Sequence, residues 1–160
     1  MKKYLCLFGI ILFFLAAPYN NLKAAPSLTK FSLNVGGLTG SDFDIFYWTA
    51  GAAIDINLAN IFMISPEGFV MGYKFDFDYF IGFVGGTGNI TFGSSSNKFF
   101  LGAGPLLVFP INWAAGSTAL TLKLHAGLIS GSFRMTAYAI TDWEDPFSGF
   151  AFGATLGIVF

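Results

Sequence analysis

The chain has 160 residues, 54% hydrophobic and 19% aromatic, with eight basic and nine acidic side chains, one histidine and one cysteine. One thiol cannot build a disulfide framework, and a charge balance this close to neutral lacks the basic face that nucleic acid requires. The apolar content is that of a membrane protein, yet after the N-terminal segment no apolar run reaches the 18 or so residues of a spanning helix.

The N-terminus reads as an export signal. Lys2 and Lys3 form a positive start, Tyr4 to Ala17 is apolar, and Pro18, Asn20 and Asn21 break the run before Ala24–Ala25. The apolar stretch is short for an anchor, so cleavage near Ala24 is expected, with 1–24 the signal peptide and 25–160 one barrel domain. Cleavage removes Lys2, Lys3, Lys23 and Cys6, leaving five basic residues against nine acidic ones and no thiol.

Beyond the signal the chain alternates with period 2, the repeat of a β-strand whose successive side chains point to opposite faces. Lys30 to Gly37 sets Phe31, Leu33 and Val35 against Lys30, Ser32 and Asn34. After the turn cluster at Thr39–Asp42, Phe46 to Leu58 alternates large apolar residues with Thr49, Gly51, Asp55 and Asn57. Ala59 to Gly68 alternates poorly and predicts a connection at the membrane surface, closed by a Pro66-Glu67-Gly68 turn. Phe69 to Phe83 predicts one long strand. Its odd-numbered residues are all large and apolar or aromatic, whereas Lys74, Asp76 and Asp78 share the other face. Gly85-Gly86 then predicts a hairpin, and Asn89 to Gly93 a short fourth strand.

Lys98 to Phe109 is the next strand, with Pro105 predicting a bulge or a sheet irregularity because it removes a ladder donor. A loop holding Trp113 leads to Thr118–Ser130, which carries Lys123 and His125 on one face. A turn at Ser130–Ser132 leads to Phe133–Ile140, with Arg134, Thr136 and Tyr138 together. Thr141 to Ser148 is an acidic loop, and Gly149 to Phe160 is the last strand. Its Leu156, Ile158 and Phe160 fall on one face.

Seven strands are clear, and Asn89–Gly93 makes eight, the even number found in bacterial single-chain barrels. The expected fold is therefore all-β: an antiparallel up-and-down transmembrane β-barrel. The terminal F-G-A-T-L-G-I-V-F, ending on an aromatic in an alternating strand, resembles the insertion signal of Gram-negative outer-membrane barrels at Leu156, Ile158 and Phe160. Thr155 stands where that pattern usually has glycine. With the export signal and strand pattern, the mature chain resembles the small eight-stranded group that includes the outer membrane protein A transmembrane domain and outer membrane protein W. The resemblance implies the cell outer membrane as location, contact with outer-membrane lipid, assistance from the barrel-assembly machinery during insertion, and a monomer.

If the bulky faces meet lipid, an eight-stranded barrel just wide enough for side chains to fill encloses the rest. Lys30, Asp55, Lys74, Asp76, Asp78, Lys123, His125 and Arg134 are then a lumen charge network, near balance and structural in role. No catalytic, metal or cofactor site is expected. His125 has Gly127 two residues on, where the lipid A deacylases that it might suggest carry serine. Asp142, Glu144 and Asp145 read as a solvated rim rather than a Ca²⁺ site, and Gly85–Gly88 as a turn rather than a phosphate loop.

The expected function is that of an integral outer-membrane barrel with a filled lumen and a structural or surface-interaction, adhesin-like role. The alternatives are a soluble periplasmic lipocalin-like lipid binder, whose polarity is reversed, and a narrow porin-like path for ions or small solutes.

Overall fold

Alternation along nearly the whole chain after residue 28 leaves few residues for anything but strands. The computed structural model describes residues 29–43, 45–73, 80–94, 97–111 and 117–160; the expected signal peptide and Trp113 lie outside them. Eight antiparallel strands close in sequence order. They are β1 (Thr29–Thr39), β2 (Phe46–Ala59), β3 (Phe62–Tyr73), β4 (Phe80–Gly93), β5 (Asn97–Ile111), β6 (Ala119–Ser130), β7 (Phe133–Asp142) and β8 (Phe150–Val159). Closure through β1 and β8 leaves no edge strand to recruit another chain.

The register fixes the tilt. Paired residues trace Thr29, Ile56, Ile64, Gly88, Ala103, Leu124, Ala139 and Phe152, and return to β1 at Thr39, ten residues above the start. Ten residues of stagger over eight strands correspond to a tilt of about 40°. Short connections of two or three residues join β2 to β3, β4 to β5 and β6 to β7, whereas those at the other end have six or seven. Short turns mark the periplasmic end of an outer-membrane barrel, and longer loops its outer end.

The strand count of eight stands, but the third and fourth strands are divided differently from the sequence pattern. Phe69 to Phe83 is not one strand. β3 ends at Tyr73 and β4 begins at Phe80, so Phe69 pairs with Phe83 across a hairpin. Lys74, Asp76 and Asp78 fall between those strands, outside the described residues. Gly85-Gly86 lies within β4, Asn89–Gly93 is the end of β4, and Pro66-Glu67-Gly68 lies within β3. The alternation misleads because each side of this hairpin keeps period 2 in phase with the other.

Pro66, Pro105 and Pro110 sit in strands, and the first two interrupt a ladder. The β2–β3 pairing skips the positions at Ser65 and Pro66, and the β4–β5 pairing those at Gly104 and Pro105, each resuming in the same register. Pro105 thus makes a sheet irregularity, an interrupted ladder with no bulge; the one register shift between described strands is at Asn57/Ala59.

Outward residues form three bands. Near the short-turn end lie Phe31, Phe62, Phe92, Phe99, Phe133 and Phe160, and near the loop end Phe46, Trp48, Phe80, Phe109, Phe150 and Phe152. Between them the wall is aliphatic, with Leu33, Leu101 and Leu156 more than half exposed. Ten residues of tilted strand separate the girdles by about 25 Å, the height of the apolar band on transmembrane barrels.

Candidate functional site: an ion-paired lumen and an acidic rim

The inward faces stack in layers. At the loop end an apolar plug joins Leu38, Met71, Phe83, Leu106, Tyr138 and Ile140, with Tyr47, Phe69, Ile81 and Val108 packed against it. At the short-turn end a smaller plug holds Met63, Phe100, Ile129 and Val159. The polar groups lie between and around these plugs.

Phe69, Met71 and Phe83 therefore face the lumen, not lipid as the bulk of this stretch predicts. Phe69 and Phe83 stack with ring centres 4.4 Å apart. The physical reason lies on neighbouring strands. A side chain added at inward-facing Gly51 would collide with Phe69, at Gly153 with the Tyr138 ring and at Gly127 with the Phe100 ring. Each missing side chain makes room for a large one across the sheet, so an eight-stranded lumen accommodates aromatics after all.

Two ion pairs anchor the polar layer. Arg134 on β7 donates to both carboxylate oxygens of Asp55 on β2, at 2.7 and 2.6 Å, and its guanidinium lies 5.0 Å from the centre of the Phe100 ring. Lys123 on β6 meets Glu67 on β3 at 2.6 Å and lies over the Tyr138 ring at 4.8 Å. Both of these cations, Arg134 and Lys123, thus have a carboxylate and an aromatic face, the arrangement that best offsets their desolvation.

A directional chain of hydrogen bonds runs into the first pair. His125 Nε2 contacts Asn89 Oδ1, Asn89 Nδ2 donates to Ser65 Oγ at 3.0 Å, and Ser65 Oγ donates to Asp55 Oδ1 at 2.6 Å. The Asn89 oxygen can only accept, so His125 carries its proton on Nε2. His125 also meets Phe100 edge-on. Serine and histidine are here linked through an amide, and the serine hydroxyl is committed to a carboxylate. This arrangement holds the barrel wall together and gives the serine no base.

Of the sequence-predicted network, the lumen brings together Asp55, Lys123, His125 and Arg134. Lys30 faces inward at the short-turn mouth, in register with Asp55; Lys74, Asp76 and Asp78 lie outside the described residues. Sequence reasoning missed Glu67, taken for a turn residue, and with it Ser65, Asn89 and Lys98. The signal was present: Met63, Ser65, Glu67, Phe69 and Met71 keep period 2, with Pro66 on the outward face. Leu156, Ile158 and Phe160 all face outward, more than half exposed.

The lumen is filled. Its internal cavity, bordered by Asn34, Thr49, Glu67, Lys123, Arg134 and Tyr138, measures about 30 Å³, room for one or two waters. Asn34 Oδ1 is buried there without a protein partner among the described residues.

The loop-end rim is different in kind. Apart from Asp55 and Glu67, every acidic residue of the chain belongs to the connections at this end or to the last residue of β7: Asp42, Asp44, Asp76, Asp78, Asp142, Glu144 and Asp145. Asp142 Oδ1 accepts from the backbone N–H of Glu144 and of Asp145 at 2.6 and 3.1 Å, shaping its loop. Thr141 Oγ1 closes the same loop onto Pro146 and Gly149. Phe147 at its tip is 90% exposed, and Phe43 on the neighbouring connection stacks on Phe152. No group of three metal-ligating side chains converges among the described residues.

No protein-family model and no curated protein sequence matches the chain. Solved structures do. Neisserial surface protein A aligns with 82% of this chain and 94% of its own at a TM-score of 0.56 and 11% identity. The N-terminal β-barrel domain of Pseudomonas aeruginosa OprF aligns with 82% and 97% at 0.51 and 15%. At such identities the likeness is one of fold, and it agrees with strand order, closure, stagger and girdles. The chain has the fold of the small eight-stranded outer-membrane β-barrels.

Proposed function

We propose that the protein is an integral outer-membrane barrel whose lumen is a structural core and whose working surface is the acidic, aromatic outer rim, which meets cationic partners outside the cell. The observation that carries this reading is the segregation of charge among the described residues: Asp55 and Glu67 are locked in lumen ion pairs, and Asp42, Asp142, Glu144 and Asp145 stand at one end. Exposed Phe43 and Phe147 among them supply contact area that a merely solvated rim does not need. A lipocalin-like carrier is disfavoured because both ion pairs are inside and the aliphatic band is outside. A pore is disfavoured by the two apolar plugs.

The test has two parts. Fractionation should recover the protein with the outer membrane, released only by detergent, with heat-modifiable gel mobility; recovery in the soluble periplasm would refute the location. Cells displaying the protein should bind a fluorescent cationic peptide more than cells displaying a variant with Asp42, Asp142, Glu144 and Asp145 changed to Asn or Gln. Equal binding would refute the rim as an interaction surface.

A further inference from the structure

The short-turn mouth of the lumen carries two cations, Lys30 and Lys98, that form no ion pair among the described residues. Lys30 on β1 and Lys98 on β5 both face inward there, half-buried. Lys98 reaches across the barrel to donate to Asn57 Oδ1 on β2 at 2.6 Å. Asn57 is the next inward position beyond Asp55, the residue paired with Lys30, so this bond draws the Lys98 ammonium towards Lys30. Lys98 thus feels both the Lys30 ammonium and, more weakly, the Asp55 carboxylate.

Asp55 is the one carboxylate at hand, and both its oxygens are engaged by Arg134, with Ser65 on Oδ1 as well. Glu67 is committed to Lys123. The other described acids, Asp42, Asp142, Glu144 and Asp145, stand at the far end of the barrel. Two like charges held together without an internal counter-ion cost stability unless an external anion completes the site. Depth suggests which anion. Lys30 precedes Phe31 and Lys98 precedes Phe99, two rings of the inner girdle, which sits at the level of lipid headgroups.

We propose that Lys30 and Lys98, the latter braced by Asn57, form a binding site for a phosphate group at the inner mouth of the barrel. Lysine ammonium groups bind phosphate as point charges and suit a site whose occupant exchanges. The phosphate belongs either to an inner-leaflet phospholipid, which rests on the outer-membrane reading, or to a free phosphate, which does not.

The test is lysine side-chain NMR on the whole barrel, first in uncharged maltoside micelles titrated with inorganic phosphate against chloride at matched ionic strength. Saturable shifts at Lys30 and Lys98, weakened at least fivefold in K30Q or K98Q and lost in the double variant, are expected. In nanodiscs without added phosphate, shifts with phosphatidylglycerol but not with phosphatidylcholine identify an anionic lipid headgroup as the source. A response in micelles alone identifies free phosphate. The proposal is overturned if neither probe shifts the two lysines, or if the double variant, shown to be folded by heat-modifiable mobility, binds as well as the parent. Because the micelle arm needs no bilayer, its failure is separable from failure of the outer-membrane location.

Discussion

Lys123 and Glu67 lie on strands from opposite halves of the barrel, yet Lys123 Nζ is 2.8 Å from one Glu67 carboxylate oxygen and 2.6 Å from the other. The pair spans the lumen and ties β3 to β6, which share no sheet ladder. Both side chains are nearly inaccessible to water. Glu67→Gln leaves a buried ammonium without its counter-charge and should cost about 3–5 kcal/mol in urea unfolding from lipid vesicles. Glu67→Gln combined with Lys123→Met should recover much of that loss. A single variant as stable as the parent would place the pair in water.

Asn89 is the middle of the chain from His125 to Asp55, and its amide donates to Ser65 while its oxygen meets His125. Asn89→Leu has similar volume but leaves both neighbours without this partner, at about 1–3 kcal/mol for each unsatisfied group. Adding His125→Phe to Asn89→Leu should give a smaller total loss than the sum of the two single changes. Strict additivity in that cycle would mean that the two residues act independently.

The girdles make a depth prediction. Ala137 faces outward midway along β7, whereas Leu120 faces outward at the loop end of β6. Ala137→Arg should destabilise the barrel in vesicles by about 2–4 kcal/mol, and Leu120→Arg by about 0–1 kcal/mol. A soluble barrel would tolerate both equally.

The apolar plugs close the lumen at both ends, with Leu106 fully buried in the outer plug and Met63 nearly so in the inner one. Reconstituted in planar bilayers, the protein should give no discrete conductance steps. Regular steps from folded, purified protein would revive the pore.

The sequence alone determined the architecture. Period 2 from Lys30 onward, the absence of an apolar helix-length run in that part of the chain and an even strand number allow little besides a membrane barrel. Where the outward stripe is aliphatic, as at Leu33, Leu101 and Leu156, the outer face was legible too. Asp55, Lys123, His125 and Arg134 were legible as lumen groups because they sit opposite unbroken apolar faces on β2, β6 and β7. Glu67 was not, since the proline and glycine beside it mimic a turn.

Only the tertiary structure decided which way Phe69 to Phe83 faces. Alternation says that two faces differ; it does not say which is inside. In-phase strands also hid the hairpin, so Phe69 and Phe83 looked like distant positions of one strand rather than a stacked pair. What admits Phe69 to the lumen is the absence of a side chain at Gly51 on β2, as Gly153 on β8 makes room for the Tyr138 ring and Gly85 on β4 for Leu106. Those vacancies come from strands that closure brings around the same interior, and a packing match between them is a property of the closed barrel.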